Sequence, residues 1–431
     1  MNVLYDLSVA GLGYTNPKAR TGVFRVVETL FLELAKQSEV KLNTIALNAQ
    51  SSLWNAASTQ LYLQKCQPQL QHLFQPFYSS RLHLDPFYHL SVEGQRSLIH
   101  VSFRYNPLLY KAAIASQIPT RLVAKFDQKL CLDSKAFDLY HSPFFPLPNP
   151  KVLGGIPRIL TIYDMIPVLN PQLFTAKIHK TFIATLNSIN CDRDWIICIS
   201  EHTKQDFCNY TGMSSDRVFV TPLAAANHFY PVSDSQIISS KLQRYDIPSR
   251  PYLLSLATLE PRKNLSFLIR CFGKLINEDP TLDLQLVLVG VSGWKNTDIF
   301  QAAQQNPQLQ SRIIFTGYLP DVDLSAIYSG ATAFVYPSLY EGFGLPPLEA
   351  MQCGTPVITS NTSSLPEVVG DAGILIDPKQ EDELCHAILQ VVQNSELRAD
   401  LALRSLERAR QFSWAKCAAE TVEVYKIAAY S

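Results

Sequence analysis

The chain has 431 residues, of which 47% are hydrophobic and 17% charged, and its formal net charge is zero. At about 150 residues per domain, this length predicts two or three domains. The composition excludes disordered, collagen-like and low-complexity chains. A net charge of zero gives no overall electrostatic basis for binding nucleic acid, and we expect none.

Targeting and metal-binding patterns are missing from the sequence. Residues 1–14 show neither a basic segment nor a small-residue cleavage site, and no run of about 18 uncharged apolar residues occurs anywhere. The nine cysteines form no Cys-x-x-Cys pair, and the histidines have no metal-ligand spacing. We therefore expect a cytoplasmic protein with free thiols, no transmembrane helix and no metal site.

Short apolar runs alternate with helical periods along most of the chain, which predicts α/β units with parallel sheets. A helix with apolar residues at helical spacing follows the first strand, while segment 51–110 stays unassigned. Segment 229–251 contains prolines and a Ser/Asp cluster and is interpreted as an interdomain linker. Two doubly wound domains are the simplest fold for this pattern. The predicted strands are Val3–Leu7, Val40–Leu47, Leu139–His141, Ile159–Tyr163, Trp195–Ile199 and Val218–Thr221 before the linker, and Tyr252–Ala257, Leu284–Gly290, Arg312–Phe315, Ala331–Tyr336, Pro356–Thr359 and Gly373–Ile376 after it.

The most informative motif is YEGFGLPPLEAM at residues 340–351, directly after a predicted buried strand. Gly342 and Gly344 permit tight backbone geometry and close approach of a ligand. Pro347 suits the first position of a helix that ends near Gly354. A helix N-terminus after a glycine-rich loop at the carboxyl end of a sheet is typical of a phosphate site.

Two carboxylates, Glu341 and Glu349, flank this predicted phosphate site. Carboxylates accept hydrogen bonds from hydroxyl groups, so a diphosphate between two sugars, as in a nucleotide-sugar, fits both features. The alternative is that the two residues are an ordinary loop acid and a helix acid stabilised by the macrodipole.

Several segments together resemble glycosyltransferase family 4, whose members are retaining enzymes with the GT-B fold. Glu341 and Glu349 resemble the E-x7-E signature of that family, and similarity extends over roughly residues 136–428. The other matching segments are SLATLEPRKNL at 255–265, closest to the mannosyltransferase-B-like branch, FTGYLPDVDLSAIY at 315–328, TPVITSNTSSLPE at 355–367, CISEHTKQDF at 198–207 and VTPLAAANHFYP at 220–231.

The resemblance implies an α/β fold of two Rossmann-like doubly wound domains facing an interdomain cleft. Residues 1–228 would form the acceptor-side domain, 229–411 the nucleotide-sugar domain, and 412–431 a helix that returns to the first domain. The implied reaction moves a hexose from a nucleotide-sugar to a glycan or lipid-linked acceptor hydroxyl with retention. GDP-mannose is the favoured donor, and UDP- or dTDP-sugars carrying glucose, GlcNAc or a deoxyhexose are the alternative. No separate cofactor is implied.

The resemblance also assigns roles at the donor side. Glu341 would contact donor-sugar hydroxyls and Glu349 the ribose, while Arg262 and Lys263 would meet the leaving phosphates. The usual arginine position of the family holds Thr258, and Arg262 is inferred to replace it. The remaining donor contacts would come from Gly22, Tyr318, Val322, Gly342, Phe343, Gly344 and Leu345.

Three residues of the first half complete the implied site. His141 matches the first histidine of a D-x-x-H-x-H pattern whose second histidine is Pro143 here, and it is predicted to be catalytic or a satisfied structural histidine. Asp164, after a tyrosine that replaces the family histidine, and Arg25 are predicted on the acceptor side.

Three other functions fit parts of the sequence. A glycoside hydrolase would use Glu341 and Glu349 as its carboxylate pair. A catalytically silent glycan-binding subunit would keep the scaffold without turnover, although the intact signature and Lys263 disfavour it. A nicotinamide-dependent dehydrogenase is disfavoured because no GxGxxG motif follows the first strand.

Charge is distributed unevenly along the chain. Residues 1–230 carry 21 Lys/Arg against 15 Asp/Glu, a net +6, whereas residues 231–431 carry 16 against 22, a net −6. Segment 96–135 holds seven basic and two acidic residues, with Phe103, Tyr105, Tyr110 and Phe126 among them and a helix predicted to begin at Pro107. Basic and aromatic residues together suit an anionic interface, so we expect peripheral contact with an anionic membrane. The other interpretation is a set of ordinary solvated charges beside a core helix.

Overall fold

The structure is a computed structural model that describes residues 1–20, 22–47, 52–105, 107–130, 132–304 and 307–431. The side chains of residues 52, 103–105, 107, 130 and 134 lie outside that description, and with them Phe103 and Tyr105 of the predicted basic and aromatic segment. Within the described residues, no helix is both long and apolar enough to cross a bilayer.

Two six-stranded parallel sheets form the framework of the molecule. Their strand orders are β2-β1-β5-β6-β7-β8 and β11-β10-β9-β12-β13-β14, with an antiparallel pair β3-β4 beside the first sheet. The strands are β1 Asn2–Asp6, β2 Lys41–Ile45, β3 Tyr78–Ser80, β4 Gln128–Leu130, β5 Leu139–Ser142, β6 Arg158–Ile162, β7 Trp195–Cys198, β8 Val218–Val220, β9 Tyr252–Leu256, β10 Gln285–Val289, β11 Ile313–Gly317, β12 Ala333–Tyr336, β13 Val357–Ser360 and β14 Ile374–Ile376. Each of the twelve predicted strands is confirmed to within two residues at either end.

Helices cover the sheets, and the apolar faces of both layers form the cores. The second sheet and its helix α11 bury an almost continuous set of Leu, Ile, Val and Phe side chains. The α-helices are α1 Ser8–Thr15, α2 Gly22–Leu34, α3 Ser52–Cys66, α4 Asp85–Tyr105, α5 Pro107–Ala115, α6 Ile118–Asp127, α7 Ile166–Leu169, α8 Ala176–Leu186, α9 Glu201–Thr211, α10 Ser235–Arg244, α11 Leu265–Glu278, α12 Thr297–Gln304, α13 Pro307–Gln310, α14 Asp321–Ser329, α15 Leu345–Gln352, α16 Leu365–Val369, α17 Glu381–Gln393, α18 Ser395–Ala409 and α19 Trp414–Tyr430.

Segments without a clear sequence pattern are helical in the structure. The unassigned stretch 51–110 supplies α3, α4 and the start of α5, which begins at Pro107 as predicted. The predicted linker contains α10, which is held on α14 because Lys241 and Arg244 both pair with the buried Asp323, at 2.6 and 3.2 Å. The domain boundaries after residues 228 and 411 stay a prediction.

The strand order places one crevice in the second sheet. That order reverses between β9 and β12, which are hydrogen-bonded neighbours whose outgoing loops therefore diverge at the carboxyl edge. Ligands bind open α/β sheets at such switch points. The loops after β9 and β12 carry Arg262, Lys263, Glu341 and the glycines of the signature motif.

Candidate active site

Glu341 lies at the centre of a buried polar cluster at this crevice. Its Oε1 accepts hydrogen bonds from Ser338 Oγ at 2.6 Å, from the Tyr336 hydroxyl at 2.9 Å and from Lys263 Nζ at 2.6 Å. Its Oε2 lies 2.7 Å from Nη1 of Arg262. Both carboxylate oxygens are thus fixed by side chains from the β9 and β12 loops.

The charges of this cluster set the ionisation of Glu341. Burial favours the neutral acid, but Arg262, Lys263 and the hydrogen bonds outweigh it and lower the pKa of Glu341 to about 2. Burial lowers the pKa of Lys263, an effect that Glu341 opposes. The pKa of Arg262 is raised because Glu341, Tyr336 and Glu260 outweigh its burial. Glu341 is therefore a permanent carboxylate at neutral pH.

Arg262 and Lys263 differ in how many of their N–H groups are already used within the protein. Four of the five N–H groups of Arg262 are used, by Glu260 Oε1 at 3.1 and 2.8 Å, by the Tyr340 carbonyl at 2.7 Å and by Glu341. Lys263 uses one N–H on Glu341 and one on Tyr336, which leaves a third for a phosphate oxygen. Lys263 therefore keeps one available N–H group at the cluster, whereas Arg262 mainly holds Glu341 in place.

The glycine-rich loop ends in helix α15, which begins at Leu345, two residues before the predicted start at Pro347. Gly344 is its N-cap and has a φ of 129°, a conformation that favours glycine. Pro346 and Pro347 have no N–H, so the amides of Gly344 and Leu345 are those that this end of the helix presents. The Phe343 side chain is buried against the Phe412 ring, so only its backbone can meet a ligand.

Gly342 permits a close approach of the two sheets' loops, where the sequence suggested the approach of a ligand. A Cβ at this position would lie 2.0 Å from the Tyr163 carbonyl oxygen and 2.9 Å from Asp164 Cβ. Thr203 Oγ1 also donates to the Gly342 carbonyl at 3.2 Å. The signature loop therefore packs directly on the carboxyl edge of the first sheet.

Asp164 lies at this contact and faces the Glu341 cluster. One carboxylate oxygen accepts the Ile166 N–H at 3.0 Å. Burial raises the pKa of Asp164, while Arg262 and Lys263 counteract this effect and Glu341 adds to it. The predicted acceptor-side residue is therefore within electrostatic reach of the predicted donor cluster.

Glu349, in α15, has far fewer partners than Glu341. The Tyr328 hydroxyl donates to its Oε2 at 3.1 Å, and no cation contacts it among the described residues. Burial raises the pKa of Glu349 to about 7, and the nearby Arg25 only partly offsets this. Arg25 instead pairs with Asp321 at 3.2 Å, joining α2 of the first sheet to α14 of the second.

Three other predicted donor contacts, Gly22, Tyr318 and Val322, are exposed to solvent. Gly22 is exposed at the start of α2, and a Cβ there would meet nothing within 4 Å. The Tyr318 side chain, in the turn before α14, is 64% exposed, and the Val322 side chain, in the first turn of α14, is 80% exposed. They are free to contact a ligand, but they make no part of the Glu341 cluster.

His141 lies inside the first domain and not on its surface. It is fully buried, with Nδ1 2.6 Å from the Tyr425 hydroxyl and Nε2 2.8 Å from Thr161 Oγ1. Burial lowers its pKa to about 3, so it is neutral. With both ring nitrogens engaged, His141 has the geometry of the structural alternative and joins β5 to α19, and it contacts none of the other predicted catalytic residues.

Several residues of the site were not found from the sequence. Tyr336 and Ser338 were detectable as polar residues where β12 ends, whereas Glu260, Tyr328 and Asp321 contact the site only through the tertiary fold. Across the contact between the sheets, Tyr340 donates to Asp206, and Glu367 accepts the first amides of α9 at 2.8 and 3.1 Å. No group of three His, Cys, Asp or Glu side chains in the described part of the chain is arranged to hold a metal ion.

Comparisons with known proteins identify relatives of this chain. The family profile described as "Glycosyl transferases group 1" matches residues 240–408. The chain is 35% identical over 294 residues to an O-antigen chain mannosyltransferase B from Escherichia coli, covering 67% of this chain and 74% of that one. It is 32% identical over 285 residues to the serotype-specific mannosyltransferase WbdA from Escherichia coli, covering 66% of this chain but 35% of that one.

A solved structure shares the whole fold. The crystal structure of Anabaena HepE in complex with UDP-glucose matches with a TM-score of 0.60 at 16% identity, over 98% of this chain and 99% of that one. The two sheets with their helices are therefore the two Rossmann-like domains of a GT-B fold, facing a cleft, as predicted.

Proposed function

This chain belongs to the glycosyl transferases group 1 family, and on that premise we propose that it transfers a hexose from a nucleotide-sugar to an acceptor hydroxyl with retention. That it is a glycosyltransferase follows from the family; the donor, the stereochemistry and the residue roles are the proposal. We assign residues 1–228 to the acceptor side, 229–411 to the donor side and 412–431 to a returning helix. The hydrogen bond between Tyr425 of α19 and His141 of β5 supports the last assignment.

The observation that carries the proposal is the fixed, ionised Glu341 beside Lys263. In the reaction the bond from the anomeric carbon to the diphosphate oxygen breaks, and a bond to the acceptor oxygen forms. The acceptor proton leaves with the nucleoside diphosphate. Lys263 and the amides of Gly344 and Leu345 would stabilise the charge that develops on the departing phosphate, while Glu341 would hold the sugar hydroxyls.

We propose GDP-mannose as the donor. The support is the 35% identity to a relative named as a mannosyltransferase. UDP- and dTDP-sugars are the alternative donors, since a neighbour that shares the fold was solved with UDP-glucose.

Binding and turnover with a donor panel test this function. The purified chain would be titrated with GDP, UDP and dTDP in a thermal-shift assay and then incubated with the matching nucleotide-sugars. Stabilisation by GDP above the others, with nucleotide release from GDP-mannose and an α-linked product by NMR, is expected. Sugar release from an oligosaccharide without any nucleotide-sugar would indicate a hydrolase, and donor binding without turnover would indicate a silent subunit.

We further propose that the reaction needs neither a separate cofactor nor a metal ion. Lys263 and the helix amides supply the positive charge that a divalent cation supplies in other transferases. EDTA should leave turnover unchanged. Loss of activity that Mg²⁺ or Mn²⁺ restores would contradict this part of the proposal.

The last part of the proposal is cytoplasmic function in peripheral contact with an anionic membrane. Helices α4, α5 and α6 expose apolar side chains and present basic ones beside them, and we call this the α4–α6 surface. Its exposed apolar residues include Leu90, Leu98, Val101, Leu108, Leu122 and Phe126, and its exposed basic residues include Lys111 and Lys125. Each basic residue near an anionic bilayer adds about 1 kcal/mol, and the apolar side chains add burial.

Sedimentation with liposomes tests the α4–α6 surface. Binding should require anionic lipid, weaken with salt and fall in a Lys111→Glu/Lys125→Glu variant, whereas Lys379→Glu in the second domain serves as the control. No co-sedimentation at low salt would contradict membrane contact.

A further inference from the structure

A cavity of about 520 Å³ lies in the first domain beside the Glu341 cluster. It opens between the loops that leave β5 and β6 and the helix α8. Four aromatic residues, Phe144, Phe145, Tyr163 and Phe182, form much of its wall. This volume is within the range of roughly 300–1,000 Å³ that small-molecule sites occupy.

The polar groups in the cavity wall are mostly satisfied by the chain itself. Thr161 Oγ1 is 2.8 Å from His141 Nε2, Thr181 Oγ1 donates to the Lys177 carbonyl at 2.9 Å, and Thr185 Oγ1 donates to the Thr181 carbonyl at 3.2 Å. The charged groups in the wall are the carboxylate of Asp164 and the ammonium of Lys177. The wall therefore offers an apolar surface with few hydrogen-bond partners.

The cavity adjoins the proposed site of transfer through Asp164. Asp164 belongs to its wall, and a Cβ on Gly342 of the signature loop would lie 2.9 Å from Asp164 Cβ. The carboxylate also interacts electrostatically with Arg262, Lys263 and Glu341. A molecule in the cavity would thus approach the Glu341 cluster at Asp164.

We propose that this cavity binds a hydrocarbon portion of the acceptor and so places the acceptor hydroxyl beside Asp164. This inference rests on the proposed transfer function and specifies the acceptor class. A sugar ring in the same space would leave several of its hydroxyls without good partners, because besides Asp164 and Lys177 the lining side chains offer the Tyr163 hydroxyl and threonine hydroxyls that already bond within the chain. Burial of a hydrocarbon against the four aromatic rings is favourable in proportion to the area removed from water.

Two glycosides with the same sugar test this inference. Methyl α-D-mannopyranoside and n-octyl α-D-mannopyranoside, the latter below its micelle-forming concentration, would be titrated into the full chain by calorimetry. The octyl glycoside should bind at least about tenfold more tightly than the methyl glycoside. GDP and UDP binding would be measured on the same samples.

Matched variants locate the binding. Phe144→Ser should weaken octyl glycoside binding about tenfold, whereas Phe87→Ser should not, although Phe144 and Phe87 are similarly exposed at 43% and 48%. Phe87 lies on α4, so it reports binding at the α4–α6 surface. Thr181→Trp, which fills the cavity from an exposed position, should also weaken binding, with Lys180→Trp on the same helix as its control.

The outcomes separate this inference from the transfer function. Equal binding of the two glycosides, or loss of octyl binding in Phe87→Ser and not in Phe144→Ser and Thr181→Trp, would overturn the hydrocarbon site. Either result with nucleotide binding and turnover intact leaves the transfer function standing. Absence of nucleotide binding and of turnover would remove the transfer function, and the acceptor assignment with it.

Discussion

Two buried glutamates of one signature, Glu341 and Glu349, have opposite electrostatic environments. Their exposures are 8% and 9%, so both lose hydration to the same degree. Glu341 is compensated by two cations and two hydroxyl donors, and its pKa falls to about 2. Glu349 receives one hydroxyl donor, and burial raises its pKa to about 7.

This difference indicates where each glutamate obtains its hydrogen-bond donors. Oε1 of Glu341 already accepts three hydrogen bonds from the protein, so a donor-sugar hydroxyl would bond Oε2, which contacts Arg262. Glu349 is a buried acid with unfilled acceptor positions, and ribose hydroxyls would supply the missing donors. In the proposed function, Glu341 would be a preorganised group of the transfer site, and Glu349 would gain its missing donors when the nucleotide binds.

The largest expected effect comes from removing a cation beside Glu341. Lys263→Ala should lower kcat about ten- to a hundredfold, because one charge-assisted contact to the leaving phosphate contributes roughly 1.5–3 kcal/mol. Lys274→Ala, an exposed lysine paired with Asp382 on the far helix α17, is the matched control. Steady-state kinetics with nucleotide release measures both, and undiminished turnover in Lys263→Ala would remove it from the site.

Neutral substitutions at the two glutamates test the comparison directly. Glu341→Gln should reduce kcat at least about tenfold, because charge develops on the sugar that it positions. Glu349→Gln should mainly raise the dissociation constant of the nucleotide, since ribose contacts are similar in ground and transition states. Calorimetry for nucleotide binding and kinetics for transfer separate the two, and identical profiles would show that the division of roles is wrong.

Sequence patterns were sufficient for the framework of the fold. Strands buried on both faces appear as short apolar runs, which is why β9 and β12 were located to within two residues. The polar loops that follow them were located with equal ease, and with them Lys263 and Glu341. Helices α3 and α4 were missed because their apolar residues do not keep a helical stripe, and several of those on α4 face solvent.

The contacts between the two domains were beyond sequence reasoning. Gly342 has its role because the Tyr163 carbonyl packs against it, and these residues are far apart in the chain. His141 matched a catalytic pattern in type and position, but its surroundings, Tyr425 and Thr161, come from α19 and β6. Burial and partner choice are set by the tertiary fold, so residue type alone left both interpretations open.

The pH dependence of nucleotide binding tests the ionisation of Glu349, and its expected effect is smaller than those of the substitutions above. If the ribose binds ionised Glu349, affinity follows the ionised fraction, which rises from about 10% at pH 6 to about 90% at pH 8 for a pKa of about 7. GDP affinity should therefore rise by slightly less than tenfold over that range. Calorimetry on wild type and Glu349→Gln measures it, and the variant corrects for titration of the nucleotide phosphate. An equal slope in both proteins would contradict the assignment.

The free energy of unfolding should also depend on the ionisation of Glu349, but it should fall as the pH rises, whereas nucleotide affinity rises. Glu349 takes up a proton at higher pH in the folded state than in the unfolded state, whose pKa is near 4.5. Stability is therefore highest below about pH 4.5 for this residue and falls by up to about 3 kcal/mol as the pH rises to 7. Denaturant unfolding of wild type and Glu349→Gln at pH 5 and pH 7.5 measures the difference, and a gap between the two proteins that does not change with pH would be contrary to it.

The smallest effect on catalysis is expected at His141, a third buried titratable group. As at Glu349, burial favours the neutral form, but Tyr425 and Thr161 already fill both nitrogens of His141, so no position remains for a ligand. His141→Gln should leave kcat per folded molecule within about twofold and should lower stability by about 1–3 kcal/mol through the lost buried hydrogen bonds.

The stability difference between wild type and His141→Gln should also depend on pH. In the unfolded wild type His141 takes up a proton below about pH 6.5, whereas in the folded protein it stays neutral down to about pH 3. Wild-type stability therefore falls by about 2 kcal/mol between pH 6.5 and 5 from this residue alone. The variant lacks that loss, and the stability gap between the two proteins should narrow on acidification. A large fall in kcat for a folded His141→Gln protein would instead return His141 to the catalytic site.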